Sequence, residues 1–442
     1  MATSTLEALG ALRQERRGRK ALLPLATLLH GLVFHFLCGA GTLAEHLRQL
    51  TGQARAESTL AERRAALDWE IFCALLRQAL RPLAHGGRHA EAFWCGWRLV
   101  AWDGVQFSLT NTPQVQAQRP KAKSRRGQAA WAKITAVVLL ELGLHNPLAA
   151  AVGWRGESEY ALTPTLLAAL PRHCLLLADR LSGVPALLAP SWDACQARDS
   201  HFLIRARASL LVHQCRRLRD GSALITVAVR DPRRPRRILR FLQLREIYVR
   251  IQRPGGRSEV LRLWTSLLDP ATAPALALAR LYAQRWEHEL YWRQMKQELR
   301  RGDLLQSHTP ETAAQEIVML ILATALLARE RWRIAAGQRP VLAISFLKCL
   351  ELLRPLWLVL SLARDVLSAE IRRALVRIFE AEMRRCRKPK RRARSCLRAV
   401  RQPVTGWPRL LNPKYAHGKA QLKLLARPPR SRLALRRITE RH

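Results

Sequence analysis

The apolar positions of this chain change period along its length, and each change marks a change of element. From Ala21 to Ala44 the residues are uncharged and mostly apolar, directly after the basic run Arg16-Arg17-Gly18-Arg19-Lys20. By composition such a run fits a signal peptide or a membrane helix. Pro24, His30, His35 and interspersed Gly and Thr residues instead point to a buried helix pair. Ser58-Thr-Leu-Ala-Glu62 reads as a capped helix start leading into helical apolar spacing from Arg63 to Leu83, so residues 1–92 are expected to be helical. Near residue 97 the period shortens. Leu99-Val-Ala-Trp102 runs into Asp103-Gly104, then Val105, Phe107 and Leu109 alternate with polar residues, the pattern of a strand with a kink or close backbone approach at the glycine.

Ile134 to Leu142 and Leu148 to Val152 read as further strands, and Glu157 to Leu170 as a helix. Cys174-Leu-Leu-Leu-Ala178 is a short apolar run ending in Asp179-Arg180, as in a strand buried on both faces. A helix is expected over Val184 to Arg198 and a strand over His201 to Arg205. From about 207 to 270 the alternation gives way to strands at Leu224–Val229, Ile238–Ile251 and Val260–Leu267, a β-rich insertion. Helix resumes near Ala275. In His308-Thr-Pro-Glu311, Thr309 serves as the cap of the next helix and Pro310 as its first residue. The apolar run Ile317 to Ala328 is too short to span a bilayer, and the chain reads as helical to about Met383.

The chain has 442 residues, 49% of them hydrophobic, enough for a folded protein of two or three domains. Lys plus Arg number 75 against 33 Asp plus Glu, a formal net charge of +42. Arg-rich codon usage alone does not account for so few acids. The excess implies a polyanionic partner, and nucleic acid is the usual one. It is densest in the loop Arg119-Pro-Lys-Ala-Lys-Ser-Arg-Arg126 and in residues 384–401. Within the loop, Lys121, Lys123, Arg125 and Arg126 are candidate phosphate contacts. Nine cysteines without a Cys-x-x-Cys pair argue against a disulfide framework or a zinc site and fit a reducing cytoplasm.

The densest candidate chemistry lies between Leu281 and Lys296. Tyr282, Arg285, Glu289 and Lys296 are spaced at i, i+3, i+7 and i+14. On a regular α-helix they fall within roughly 60° of one another, with Arg293 on the same side. A carboxylate flanked by phosphate-binding donors suits metal-dependent phosphodiester chemistry. Three carboxylates from different elements, Asp103, Asp179 and Glu289, could hold two Mg²⁺ ions ~3.5–4 Å apart, with Mn²⁺ as a substitute. Each acid also has an ordinary reading: Asp103 as a turn residue before Gly104, Asp179 as the ion-pair partner of Arg180, Glu289 as a solvated helical residue. Glu287 and Glu298 compete with Glu289, although Glu287 lies about 140° around the helix from Tyr282.

Tyr282-x-x-Arg285-x-x-x-Glu289, followed seven residues on by Lys296, resembles the Tyr-Arg-Glu-Lys signature of the insertion sequence 4 family of DDE transposases. Supporting matches are Ala101-Trp-Asp-Gly104, Leu176-Leu-Ala-Asp-Arg180, Gly156-Glu-Ser-Glu159, Asp220-Gly-Ser222 and Leu305-Gln-Ser-His-Thr-Pro310. The resemblance spans about residues 55–335. It implies an α/β RNase H-like (retroviral-integrase-like) catalytic core over 93–206 and 271–335, split by the insertion 207–270. An N-terminal helical, DNA-binding region over 1–92, a helical region over 336–383 and a basic tail over 384–442 would flank it.

By the same resemblance Asp103, Asp179 and Glu289 would be the Mg²⁺ ligands, and Tyr282, Arg285 and Lys296 would contact DNA. The implied reaction is cut-and-paste transposition. Water hydrolyses one strand at each element end, and the freed 3′-hydroxyls join target DNA. Expected partners are double-stranded DNA, as inverted-repeat ends and as target, and a second copy in a synaptic complex; no membrane is expected. The expected location is the bacterial cytoplasm, on the nucleoid. Asp103-Gly-Val and Asp179-Arg-Leu-Ser depart from the more usual Asp-Gly-Thr or Asp-Gly-Ser and Asp-Arg-Gly-Phe, and Leu261 stands where some relatives carry a base-stacking tryptophan, with Trp264 three residues on. Rival readings are another RNase H-like metal nuclease, a catalytically decayed DNA-binding copy, a nucleic-acid-binding protein without catalysis, and a membrane protein anchored by residues 21–44.

Overall fold

The structure is a computed structural model and describes residues 23–124, 127–231, 234, 236–252, 258–388, 394–395, 416–417 and 421–425. Its described residues form two compact units: one up to Pro171 together with Glu287–Lys388, the other Arg172–Trp286 with described residues beyond 389.

The first unit is built on antiparallel strands Trp97–Ser108, Lys133–Glu141 and Asn146–Gly153, with the two-residue strand Phe93–Trp94 folded back on the first. Leu99, Val100, Ala101 and Trp102 are buried on both faces, and so are Ala136 through Leu140. This explains why the pattern there reads as an unbroken apolar run rather than an alternating one. Asp103 lies inside the strand, opposite Val138, and Gly104 lies opposite Val137. The turn reading of Asp103 therefore does not hold. The close approach expected at Gly104 is real: a Cβ there would run into the Glu159 carboxylate.

Helices cover this sheet. Pro310–Ala335 packs on Leu25–Cys38, on Trp69–Ala79 and on the outer strand Asn146–Gly153. Its start is as expected, with Thr309 accepting from the Thr312 amide and Pro310 in the first turn. The run Ile317 to Ala328 proves to be the middle of this 26-residue helix, which is long and apolar enough to cross a membrane; 78% of its apolar window is buried in the fold. The early apolar run, expected to hold a helix pair, holds one helix, Leu25–Cys38; the second, Leu43–Thr51, starts only where the run ends and is bent from the first by 114°. The single helix expected over Arg63 to Leu83 is instead two, Glu57–Ala65 and Trp69–Ala79, the second beginning directly after Asp68. Ser58 is not its cap; Ala56 holds that position without a side-chain bond.

Two buried carboxylates tie segments together in this unit. Glu141 accepts from the amides of Leu83 and Ala84 and from Asn146 Nδ2, and pairs with Arg98. Glu316 accepts from the amides of Gln306 and Ser307, from Ser307 Oγ at 2.9 Å and from Arg300 at 3.0 Å. The Gln306-Ser307 part of the Leu305–Pro310 motif thus folds around a buried acid.

In the second unit Cys174–Ala178 runs parallel to His201–Arg205, joined by helix Pro185–Gln196. Glu259–Thr265 then pairs antiparallel to His201–Arg205, followed outward by Ile238–Gln252, Ala223–Arg230 and Gln214–Arg217. The β-rich segment therefore continues the sheet that precedes it. Arg245, fully buried, fastens this sheet to the helix that follows. It bonds Ser222 Oγ at 2.8 Å, the Ala273 carbonyl at 2.6 Å and the Asp220 carboxylate, which also accepts from the Ala275 amide. The Asp220-Gly-Ser222 motif thus has a structural use in the described fold. Among the described residues no cysteine is paired with another.

Candidate active site

Asp179 follows the five buried residues of Cys174–Ala178, where the chain leaves the sheet. Its Oδ1 accepts from the Leu181 amide at 2.7 Å, which fixes the turn after the strand. Side chains leaving a sheet at strand ends enter crevices, and here the crevice is a cavity of about 600 Å³. Asp179, Arg180, Arg205, Glu259, Leu261, Tyr282 and Arg285 line it, with Trp286 exposed at its rim. Arg205 pairs with Glu259 at 2.8 Å. Three arginines and two carboxylates thus converge on one crevice, an arrangement suited to gripping phosphate beside an acid.

Tyr282 is buried, and its hydroxyl donates to the Ala178 carbonyl at 3.1 Å, on the residue before Asp179. Burial pushes its pKa up; the Arg285 cation beside it pulls the other way. In the described structure this hydroxyl is thus engaged with the strand end. Arg205 and Glu259 escaped the sequence reading, because nothing in the local pattern separates one strand-end arginine from the many others.

The signature segment is not one uniform α-helix. Ala275–Tyr282 is α-helical, Ala283–Arg285 is a 3₁₀ turn, Trp286–Arg293 is α-helical again and Gln294–Leu299 is a π-helix. Such turns advance by angles other than 100° per residue, so the stripe drawn on ideal geometry does not carry over. The boundary between the two units also falls in this segment, after Trp286.

Glu289, Arg293 and Lys296 belong to the first unit with Asp103. Glu289 is half-buried and Arg293 exposed. Lys296 Nζ donates to the Gln106 carbonyl at 2.7 Å and lies over the Phe107 ring at 4.8 Å, on the same strand as Asp103. Burial lowers its pKa, Asp303 raises it and Lys133 lowers it further. Lys133, which the sequence did not mark, reaches Ser108 Oγ at 2.6 Å and Asp303 at 3.8 Å. Glu287 accepts from His145 Nε2 at 2.8 Å. Asp103 Oδ1 accepts from the Gly104 amide at 3.0 Å, and the Glu159 carboxylate faces Gly104.

Of the basic loop, Lys121 is half-buried and Lys123 is exposed in a two-residue strand paired with Gly127–Gln128; Arg125 and Arg126 lie outside the described residues, as does most of the tail 384–442. Trp264 is buried, its Nε1 donating to Glu246 at 2.9 Å and its ring under the Arg262 guanidinium, so in this fold it is a core residue. Among the described residues, no group of three or more His, Cys, Asp and Glu side chains is gathered as a metal site.

Residues 96–326 match the family described as Transposase DDE domain, a stretch that contains Asp103, Asp179 and Glu289. Over 245 residues the chain is 29% identical to Transposase InsG for insertion sequence element IS4 of Escherichia coli (strain K12), covering 55% of this chain and 54% of that protein. It is 30% identical over 132 residues to the protein InsZ of the same organism, covering 29% of this chain and 42% of InsZ. The chain spans about half the length of the curated relatives it matches. Among solved structures, the cryo-EM structure of the piggyBac transposase synaptic complex with hairpin DNA aligns with a TM-score of 0.44 at 8% identity, over 85% of this chain and 80% of that one.

Proposed function

The chain belongs to the DDE-domain transposase family, and on that premise we propose that it cuts DNA at the ends of an insertion sequence and joins the freed 3′-hydroxyls to target DNA, through an RNase H-like core. The observation that carries the reading is Asp179, at the end of a buried strand, opening into a crevice walled by Arg180, Arg205 and Arg285.

In this reading Asp103, Asp179 and Glu289 are ligands for two Mg²⁺ ions. The donor set is carboxylate oxygen alone, which suits that ion. Bound metal would supply an activated water and neutralise charge on the leaving oxygen. Arg285 and Arg205 grip the phosphate beside Asp179, their planar forks matching its oxygens. Tyr282 keeps the Ala178 carbonyl, and so the start of the Asp179 turn, in place. Lys296, braced on the Gln106 carbonyl, contributes a cation beside the strand that carries Asp103. Two copies act together, one at each element end.

The test uses supercoiled plasmid carrying the DNA that flanks the gene. Wild-type protein is expected to nick it only with Mg²⁺ or Mn²⁺ and to join pre-cut 3′-hydroxyl ends to a second plasmid. Asp103→Asn, Asp179→Asn and Glu289→Gln are each expected to bind DNA and not cut. Cutting that survives any one of these substitutions would remove that residue from the ligand set, and wild-type binding without cutting in either metal would overturn the reading.

A further inference from the structure

Where Gln214–Arg217, Ala223–Arg230 and the first half of Ile238–Gln252 run side by side, the two faces of the sheet differ in kind. Opposed residues share a face and successive residues alternate. One face holds Ile225, Val227, Val229, Leu242 and Leu244, all buried. Helix Pro185–Gln196 packs there, pinned by Asp193 to Arg240 at 2.6 Å.

On the other face Thr226 lies opposite both Gln243 and Gln214, Ala228 opposite Phe241, and Leu224 opposite Arg216. Phe241 is 53% exposed and the nearby Leu239 52%. His213 meets the Phe241 ring edge-on, with centroids 5.2 Å apart. All four residues of the edge strand Gln214–Arg217 are exposed. An exposed aromatic beside an open strand edge invites association unless the surface serves a partner.

The charge around this face identifies the partner. Residues 207–245 contain eleven arginines against two acids, Asp220 and Asp231. Asp220 is already taken by Arg245. Arg216, Arg219, Arg236 and Arg237 are all exposed. Exposed guanidinium groups at this density, with amide side chains and an apolar centre, match a phosphate backbone; an ordinary protein surface mixes charges of both signs.

We propose that this open face of the second unit's sheet, with Arg236 and Arg237 just before Ile238–Gln252, docks the backbone of duplex DNA. The surface shares no lining residue with the cavity at Asp179, so it holds a stretch of duplex other than the phosphate being cut. Arg216, Arg219, Arg236 and Arg237 make phosphate contacts, and Phe241 and Leu239 press against the groove wall between them. The proposal rests on the reading of the chain as a DNA enzyme and adds where part of the duplex lies.

The test is fluorescence anisotropy of the full chain on a labelled duplex of arbitrary sequence, over a salt series. Replacing Arg216, Arg219, Arg236 and Arg237 together by Gln is expected to flatten the dependence of log Kd on log salt by about 2–4, at ~0.9 per lost phosphate contact. The same four positions replaced by Lys should keep the wild-type slope. Phe241→Ala should weaken binding several-fold and leave the slope unchanged, a readout that loss of charge would not give. An unchanged slope in the Gln variant, with wild-type thermal unfolding, overturns this surface and leaves the transposase reading intact. A wild-type chain that binds no duplex at all overturns both.

Discussion

His145 Nε2 stands 2.8 Å from a Glu287 carboxylate oxygen, within the first unit and two residues before Glu289. His145 is buried, its pKa lowered by that burial and raised in part by Glu287. Of two acids on one short helix, Glu287 thus has a packing duty. Glu287→Ala, which leaves the buried imidazole without this partner, is expected to cost about 1–3 kcal/mol in urea unfolding and to leave nicking per folded molecule near wild type. Glu289→Ala should do the reverse, abolishing nicking at unchanged stability. Swapped phenotypes would mean that the two carboxylates have been assigned the wrong way round.

Tyr282 supports the carbonyl of Ala178. Tyr282→Phe keeps the ring and removes only the hydroxyl, so a loss of about 1 kcal/mol is expected in thermal or urea unfolding. Nicking should slow as the Asp179 turn loosens, while DNA affinity stays the same. Weakened affinity at unchanged stability would instead place the hydroxyl on a phosphate.

Gly104 leaves no room for a side chain, because the Glu159 carboxylate occupies that space. Gly104→Ala is expected to destabilise the protein by about 1–3 kcal/mol, the usual cost of forcing extra volume into packed surroundings. Adding Glu159→Ala should recover most of that loss. A double variant no more stable than Gly104→Ala alone would show that the crowding comes from elsewhere.

His35 and His46 face each other through their Nδ1 atoms at 2.8 Å, between helices Leu25–Cys38 and Leu43–Thr51. Burial, then His46, Arg64 and Arg300, holds the His35 pKa down at about 4, against an ordinary value of 6.5. The unfolded chain therefore takes up this proton first as pH falls. The contribution is fully present above pH 6.5, is lost between 6.5 and about 4, and is flat below. Its size is at most about 3 kcal/mol. Unfolding midpoints measured across that window should fall more steeply for wild type than for His35→Asn, and parallel curves would remove His35 as the cause.

Local pattern carried much of the architecture. The buried strand Cys174–Ala178 was legible because five apolar residues between turn signals admit few other structures. The start of Pro310–Ala335 was legible because Thr309 accepts from an amide within one turn of itself and Pro310, with its fixed φ and no N–H, suits a first helical position. The break at Asp68 was hidden, since apolar spacing continues across it. So were the 3₁₀ and π turns of the signature segment, since residue spacing says nothing of how tightly each turn is wound.

By itself, the sequence determined the α/β alternation, the family and the acids and cations worth naming, because those depend on residue type and short-range periodicity. Only tertiary structure decided that His145 claims Glu287, that Glu159 fills the space at Gly104, that Tyr282 braces Ala178, and that the strands after residue 207 extend an existing sheet. The partners in each case stand about 50 to 140 residues apart along the chain. Contacts over such separations are set by which surfaces exclude water together, and no local pattern records that choice.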